Sequence, residues 1–202
     1  MGEVTFSGLR LLTAPGRVMI PRATSEQLVT AAHRHLGDGG ARVVDVGTGS
    51  GAIAIAIAEA CPRAEVWATD TSERAVELAR ANVRLHRLGG RVHVRAGNLL
   101  EPVPGRFDVI AANLPYVPAS QAADRPELQA EPFDAVFAPG DGLDPYRRLV
   151  DGAASRLVDD GVLLLQLDRR VLAAARDELP ALRAALTAPR AEAFEAVAGL
   201  AA

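Results

Sequence analysis

Apolar runs alternating with helical patterns constrain this chain more than any other feature. "ARVVDVG", "AEVWATD", "RVHVRAG", "FDVIAAN" and "VLLLQLD" read as strands. "GAIAIAIAEA", "SERAVELARANVRLHRLG", "DPYRRLVDGAASRLVDDG" and "RRVLAAARDEL" read as helices. Strands apolar on both faces need cover on both sides, which implies a mostly parallel sheet in a doubly wound α/β domain. A chain of 202 residues suits one domain of this kind. Residues 1–40 form a lead-in. There "VTFSGLRLLTAPGRVMIPR" suggests a hairpin or extended segment, and "TSEQLVTAAHRHLG" an amphipathic helix capped by Thr24 or Ser25 and ended by Gly37. Residues 41–202 form the core. Its last stretch, "ALRAALTAPRAEAFEAVAGLAA", fits edge strands or an alanine-rich helix equally well.

Composition removes several function classes. The chain is 49% hydrophobic, yet no apolar run approaches the ~20 residues of a membrane helix. The start "MGEVTFSGLR" lacks a basic region followed by an apolar one, so a cytoplasmic location without membrane contact is expected. Cys61 is the single cysteine, which excludes an intramolecular disulfide and suits a buried thiol. His33, His35, His86 and His93 show no ligand spacing, and no metal is expected. A formal charge of -3 gives no general attraction to nucleic acid. Every basic residue is arginine, which removes Schiff-base chemistry and lysine-centred phosphate loops. None of these features bears on oligomeric state.

Between the first core strand and its helix stands "VVDVGTGSG", with glycines at 47, 49 and 51. Such a loop lets backbone approach a ligand closely and aims helix amides at it. Gly47, Gly49 and Ala52 also satisfy a dinucleotide-binding pattern. Asp45 separates the two readings, because a dinucleotide fold would keep an apolar residue there, whereas a carboxylate can face a cation beyond the loop. Asp70 ends the second core strand, where an acid meets ribose hydroxyls or else caps the helix that opens at "TSERAV". Asn113, Leu114, Pro115 and Tyr116 follow "FDVIAA" and mark either a plain strand end or a site.

"VVDVGTGSG", "VWATDTS" and "FDVIAANLPYVP", in this order, resemble the class I S-adenosylmethionine-dependent methyltransferases. The resemblance implies their Rossmann-like, seven-stranded fold and S-adenosyl-L-methionine as cofactor. It implies that Gly47, Thr48, Gly49 and Gly51 run against the methionine part and that Asp45 lies near its amino group. Asp70 and Thr71 would hold the ribose, and Asn98 with Leu99 would face the adenine. The family has an acid where this chain has Asn98.

A carboxamide or aryl amine nitrogen is a poor nucleophile because its lone pair is delocalised. Acceptors for its hydrogens favour a tetrahedral, electron-rich nitrogen. Asn113 supplies a side-chain oxygen on the catalytic side and also borders the cofactor. The Leu114 carbonyl supplies a second acceptor, Pro115 fixes the turn, and Tyr116 offers a flat face. The stretch resembles the N-P-P-Y signature of amino-methyltransferases, with Leu114 in place of the first proline.

Two further stretches point to one branch. "GRVMIPRATSEQLV" and "FAPGDGLDPYRRLVDGAASRLVDDGVLLLQLD" resemble the HemK-type protein (release factor) glutamine methyltransferases, and the similarity spans Val4 to Asp168. It implies a protein substrate, a glutamine side chain in a translation release factor or a ribosomal protein. It also implies a chain without that family's N-terminal helical domain. Ala23, Thr24 and Ser25 replace the family's P-E-T, and "QLD" at 166–168 replaces its acidic strand end with Glu and Gly. Three alternatives stay open: a nucleic-acid adenine or cytosine methyltransferase, disfavoured by the acidic pI, a small-molecule methyltransferase, and a non-catalytic cofactor-binding partner subunit.

Overall fold

Successive residues of a strand face opposite ways, and in the central strands "RVVDV" and "FDVIAA" residues facing both ways are buried. The computed structural model describes residues 1–37, 39–168 and 194–199. Two strands, β1 (Gly2–Phe6) and β2 (Leu9–Thr13), form an antiparallel hairpin that leads into α1 (Glu26–Leu36). Next come β3 (Arg42–Val46), α2 (Ala52–Ala60), β4 (Glu65–Asp70), α3 (Glu73–Leu85), β5 (Val92–Ala96) and β6 (Phe107–Ala112). Two short strands, β7 (Val117–Pro118) and β8 (Phe137–Ala138), pair around α4 (Phe133–Val136). Then follow α5 (Asp144–Ala153), β9 (Leu157–Asp168) and β10 (Phe194–Gly199).

The central sheet has the order β10-β9-β6-β3-β4-β5, and every pairing in it is parallel. Val43, Val66 and Ala111 meet α1, α2 and α3 in one core layer, whereas Val44, Val46 and Ile110 meet α5 in the other. The expected doubly wound α/β fold is therefore present. From β3 the chain moves outward through β4 and β5, then returns to place β6 on the other side of β3. That reversal leaves a crevice at the carboxyl ends of β3 and β6, where open parallel sheets bind ligands.

Several expectations need correction. The sheet has six strands among the described residues, against the seven implied by resemblance. The helix read through "DPYRRLVDGAASRLVDDG" ends at Ala153, because Arg156 ties the following turn to its neighbours. Its guanidinium donates to the carbonyls of Leu100, Val103 and Gly105, and its own carbonyl accepts from the Phe107 amide. Leu157 onward consequently joins the sheet beside Phe107. Ser25 precedes α1, but neither it nor Thr24 caps the helix with its side chain; both turn to other partners described below. The final stretch contributes β10 as a strand, while the helix read in "RRVLAAARDEL" lies outside the described residues. Among the described residues no helix is long and apolar enough to cross a membrane.

Candidate active site

All the candidate residues lie at the carboxyl ends of β3, β4, β5 and β6. After β3 the chain enters the left-handed region at Gly47, with φ of 73°. A Cβ at Gly47 would stand 2.7 Å from Leu114 Cδ2, so the bare backbone is what lets the β6 end pack over the loop. The Gly47 and Thr48 amides both donate to the Thr69 carbonyl, which anchors the loop to β4. Gly51 serves a different purpose from its neighbours, opening α2 where it packs against Ala79.

Asp45 sits beneath this loop and is fully buried. Its Oδ2 accepts from Thr48 Oγ1 at 2.6 Å and from the Ala54 amide at 3.2 Å, while Oδ1 has no hydrogen-bond partner among the described residues. Burial pushes its carboxyl up to about 7 despite those two bonds. The residue thus joins the loop to the first turn of α2.

Asp70 spans two elements. One oxygen accepts from the Gly49 amide and the other from the Ser72 amide, each at 2.9 Å. The cap of α3 is Ser72, whose Oγ accepts from the Ala75 amide, so Asp70 braces the helix entry without being its cap residue. Burial raises its carboxyl pKa. Beyond β5, Asn98 donates through Nδ2 to Glu101 Oε1 at 2.7 Å, which leaves its Oδ1 as an acceptor. Leu99 is held at φ 46°, with its carbonyl taking a bond from Thr69 Oγ1 at 2.8 Å.

The β6 end is fixed by side chains from distant segments. Asn113 Nδ2 donates to Ser25 Oγ at 3.2 Å. The buried Tyr146 hydroxyl accepts from the Leu114 amide at 3.0 Å and lies 2.9 Å from the Leu114 carbonyl and 2.7 Å from that of Gln166. Its single proton serves one of these two carbonyls at a time. Burial also pushes the phenol well above its usual range, so it stays protonated. Gly142, at φ 90°, allows its loop to approach the Tyr116 carbonyl, which any Cβ there would overlap. Tyr146→Phe removes the partner of a buried amide and is expected to cost about 1–3 kcal/mol of stability, read as a lower urea midpoint at unchanged m.

A cavity of about 550 Å³ connects these ends. Gly47, Thr48, Gly49, Asp70, Thr71, Asn98, Leu99, Asn113, Leu114 and Pro115 all line it. Asp45, Gly51 and Tyr116 do not: the first two support the loop from behind, and Tyr116 packs between the α5 core and the cluster around Val117 and Phe137. The wall also includes Arg17, Ser25, Arg74 and Arg148, which the sequence patterns do not assign. "VMIPR" and "DPYRRL" are the sequence signals beside three of them. The residues present suit an adenosyl-amino-acid group: backbone amides and glycines at one end, a carboxylate for hydroxyls at Asp70, and an amide acceptor at Asn98.

A family profile described as methyltransferase small domain matches residues 22–127. The release factor glutamine methyltransferase of Gloeobacter violaceus is 43% identical over 171 residues, covering 83% of this chain and 59% of that protein. The release factor glutamine methyltransferase of Deinococcus radiodurans is 44% identical over 171 residues, covering 84% of this chain and 60% of that protein. The chain spans about three-fifths of the length of these two relatives. Among solved structures, ribosomal protein L11 methylase from Lactobacillus delbrueckii subsp. bulgaricus shares the fold, with a TM-score of 0.59 at 23% identity, over 82% of this chain and 72% of that one. The matched span holds the glycine loop, Asp70, Asn98 and the Asn113 turn, and the chain belongs to the methyltransferase small domain family.

Proposed function

We propose that this chain is an S-adenosyl-L-methionine-dependent N-methyltransferase whose acceptor is a protein glutamine side chain, in a substrate of the translation release factor class. One observation carries the reading: the Asn113 turn and the glycine loop open onto the same cavity. The names of the two relatives support the choice of acceptor. When bound, the cofactor supplies a methyl group made electrophilic by its sulfonium. Gly47, Thr48 and Gly49 would hold its methionine part, Asp70 and Thr71 its ribose, and Asn98 and Leu99 its adenine. Asp45 acts from beneath by fixing the loop.

Asn113 Oδ1 and the Leu114 carbonyl take the two hydrogens of the substrate amide. As the nitrogen takes the methyl, with the sulfonium leaving as a neutral thioether, positive charge would develop on that nitrogen and these bonds would strengthen, which is the condition for lowering the barrier; one of its two hydrogens would then leave as a proton to solvent. Pro115 holds the turn, and Tyr116, packed between the two clusters behind it, anchors the turn from outside the cavity. Incubation with methyl-labelled cofactor and purified release factor is expected to give protease-sensitive label, recovered as N-methylglutamine by mass spectrometry. Label in a nuclease-sensitive or small-molecule fraction of a cell extract, with none in protein, overturns the reading.

A further inference from the structure

The Asn113 carboxamide presents its oxygen to a substrate only if something holds its nitrogen away. An amide rotates freely about its last bond unless a fixed partner selects one face, and its two ends differ only in hydrogen-bonding role. In this structure the partner is Ser25, separated from Asn113 by 88 positions in the chain. Ser25 is 3% exposed, lines the same cavity, and receives Asn113 Nδ2 on its hydroxyl at 3.2 Å. Asn113 Oδ1 makes no hydrogen bond among the described residues.

The short turn that carries Ser25 is itself pinned. Ser25 follows Ala23 and Thr24 in one 3-10 turn, and Thr24 Oγ1 accepts from Gln166 Nε2 at 3.1 Å. Gln166 is 4% exposed near the end of β9, and its backbone carbonyl accepts from Tyr146. Thr24 and Gln166 occupy the two places where the resembled pattern has acids, and here they form a neutral pair with each other. This neutral amide-to-hydroxyl bond ties the turn to the end of β9.

We infer that Ser25 is a positioning residue that orients the Asn113 carboxamide, with the Gln166–Thr24 bond holding Ser25 in place. The inference rests on the reading of Asn113 as the acceptor of the substrate amide, and it has a consequence that does not depend on turnover. Without the Ser25 hydroxyl, the Asn113 side chain loses the bond that chooses its orientation. A second hydroxyl residue at the same position restores that bond, whereas a residue that fills only the space does not.

The test uses 15N-labelled full chain and its Ser25→Ala and Ser25→Thr variants, with the Asn113 side-chain NH2 signals identified by their loss in Asn113→Ala. The expected result is a rigid NH2 pair in the parent chain and Ser25→Thr, and a mobile pair with shifted resonances in Ser25→Ala. With a methylated acceptor in hand, Ser25→Ala lowers kcat about tenfold with acceptor KM within about twofold, and Ser25→Thr recovers most of the loss. An unchanged NH2 pair in Ser25→Ala, or a Ser25→Thr variant as impaired as Ser25→Ala, overturns the inference. If the parent chain methylates no amide, the proposed function fails, and the NH2 signals still decide what Ser25 does.

Discussion

Asn113→Ala is expected to lower kcat by about 10²- to 10³-fold, the range seen when one preorganised polar partner of a transition state is removed. A substrate amide donates two hydrogens, and the β6 end offers two acceptors, the Asn113 oxygen and the Leu114 carbonyl. Loss of one leaves the other in place, because Leu114 is fixed by Tyr146 and not by Asn113. The cofactor end of the cavity is held by the Thr69, Asp45 and Asp70 bonds, none of which involves Asn113. Affinity for S-adenosyl-L-methionine, measured by calorimetry, should therefore change far less than the single-turnover rate. A variant that turns over at the parent rate would remove Asn113 from the chemistry and return "AANLPYVPA" to the role of a strand end.

Much of this arrangement is legible in the sequence because it is local. The alternation of "ARVVDVG" with "GAIAIAIAEA" is a period change within a few residues, and it places the glycine loop between β3 and α2 without tertiary knowledge. Asp70 falls at its strand end for the same reason. Leu114 stands out in the sequence as a departure from the resembled signature. In the fold its side chain has a use, since it packs over Gly47 where any Cβ would intrude.

The parts that are not legible depend on contacts far apart in sequence. Ser25 reads as a helix cap because serine before a helical run usually is one, yet its hydroxyl is taken by a residue 88 positions away. Nothing near Tyr146 announces that its hydroxyl meets Leu114, 32 positions earlier. The end of α5 is hidden because leucine and valine at 157–158 continue a helical pattern equally well. What decides for strand is the Arg156 guanidinium, which fixes the turn against three carbonyls of another segment. A carboxylate near the end of an apolar strand can face a cation beyond the loop, whereas Asp45 lies within β3 and the loop folds over it and buries it.

That burial gives Asp45 a measurable signature. Its carboxyl is raised from 3.8 to about 7, with desolvation the largest cause, so the folded chain keeps a proton that the unfolded chain releases. Between those two values the native state binds more protons than the unfolded state, and stability must fall as pH rises. Below about 4 both states hold the proton, and above about 7 both have lost it, so the slope is confined to this window. The gap between the two values corresponds to about 4 kcal/mol. Asp45→Asn retains an oxygen for the Thr48 hydroxyl and the Ala54 amide and removes the charge. The variant should thus match the parent near pH 4 and exceed it by roughly 3 kcal/mol or more at pH 8, with most of the gain appearing above about pH 5. Urea unfolding of both proteins at about pH 5 and pH 8 measures this directly, and the difference between them cancels the titration of the carboxylates that do not interact with Asp45; Asp70, whose charge helps raise the Asp45 carboxyl, is part of the measured effect. Parallel pH profiles would mean that Asp45 ionises without penalty, through water or a cation reaching its unpartnered Oδ1. A gain at the higher pH would mean that the loop is built on a carboxylate whose charge the apo fold resists.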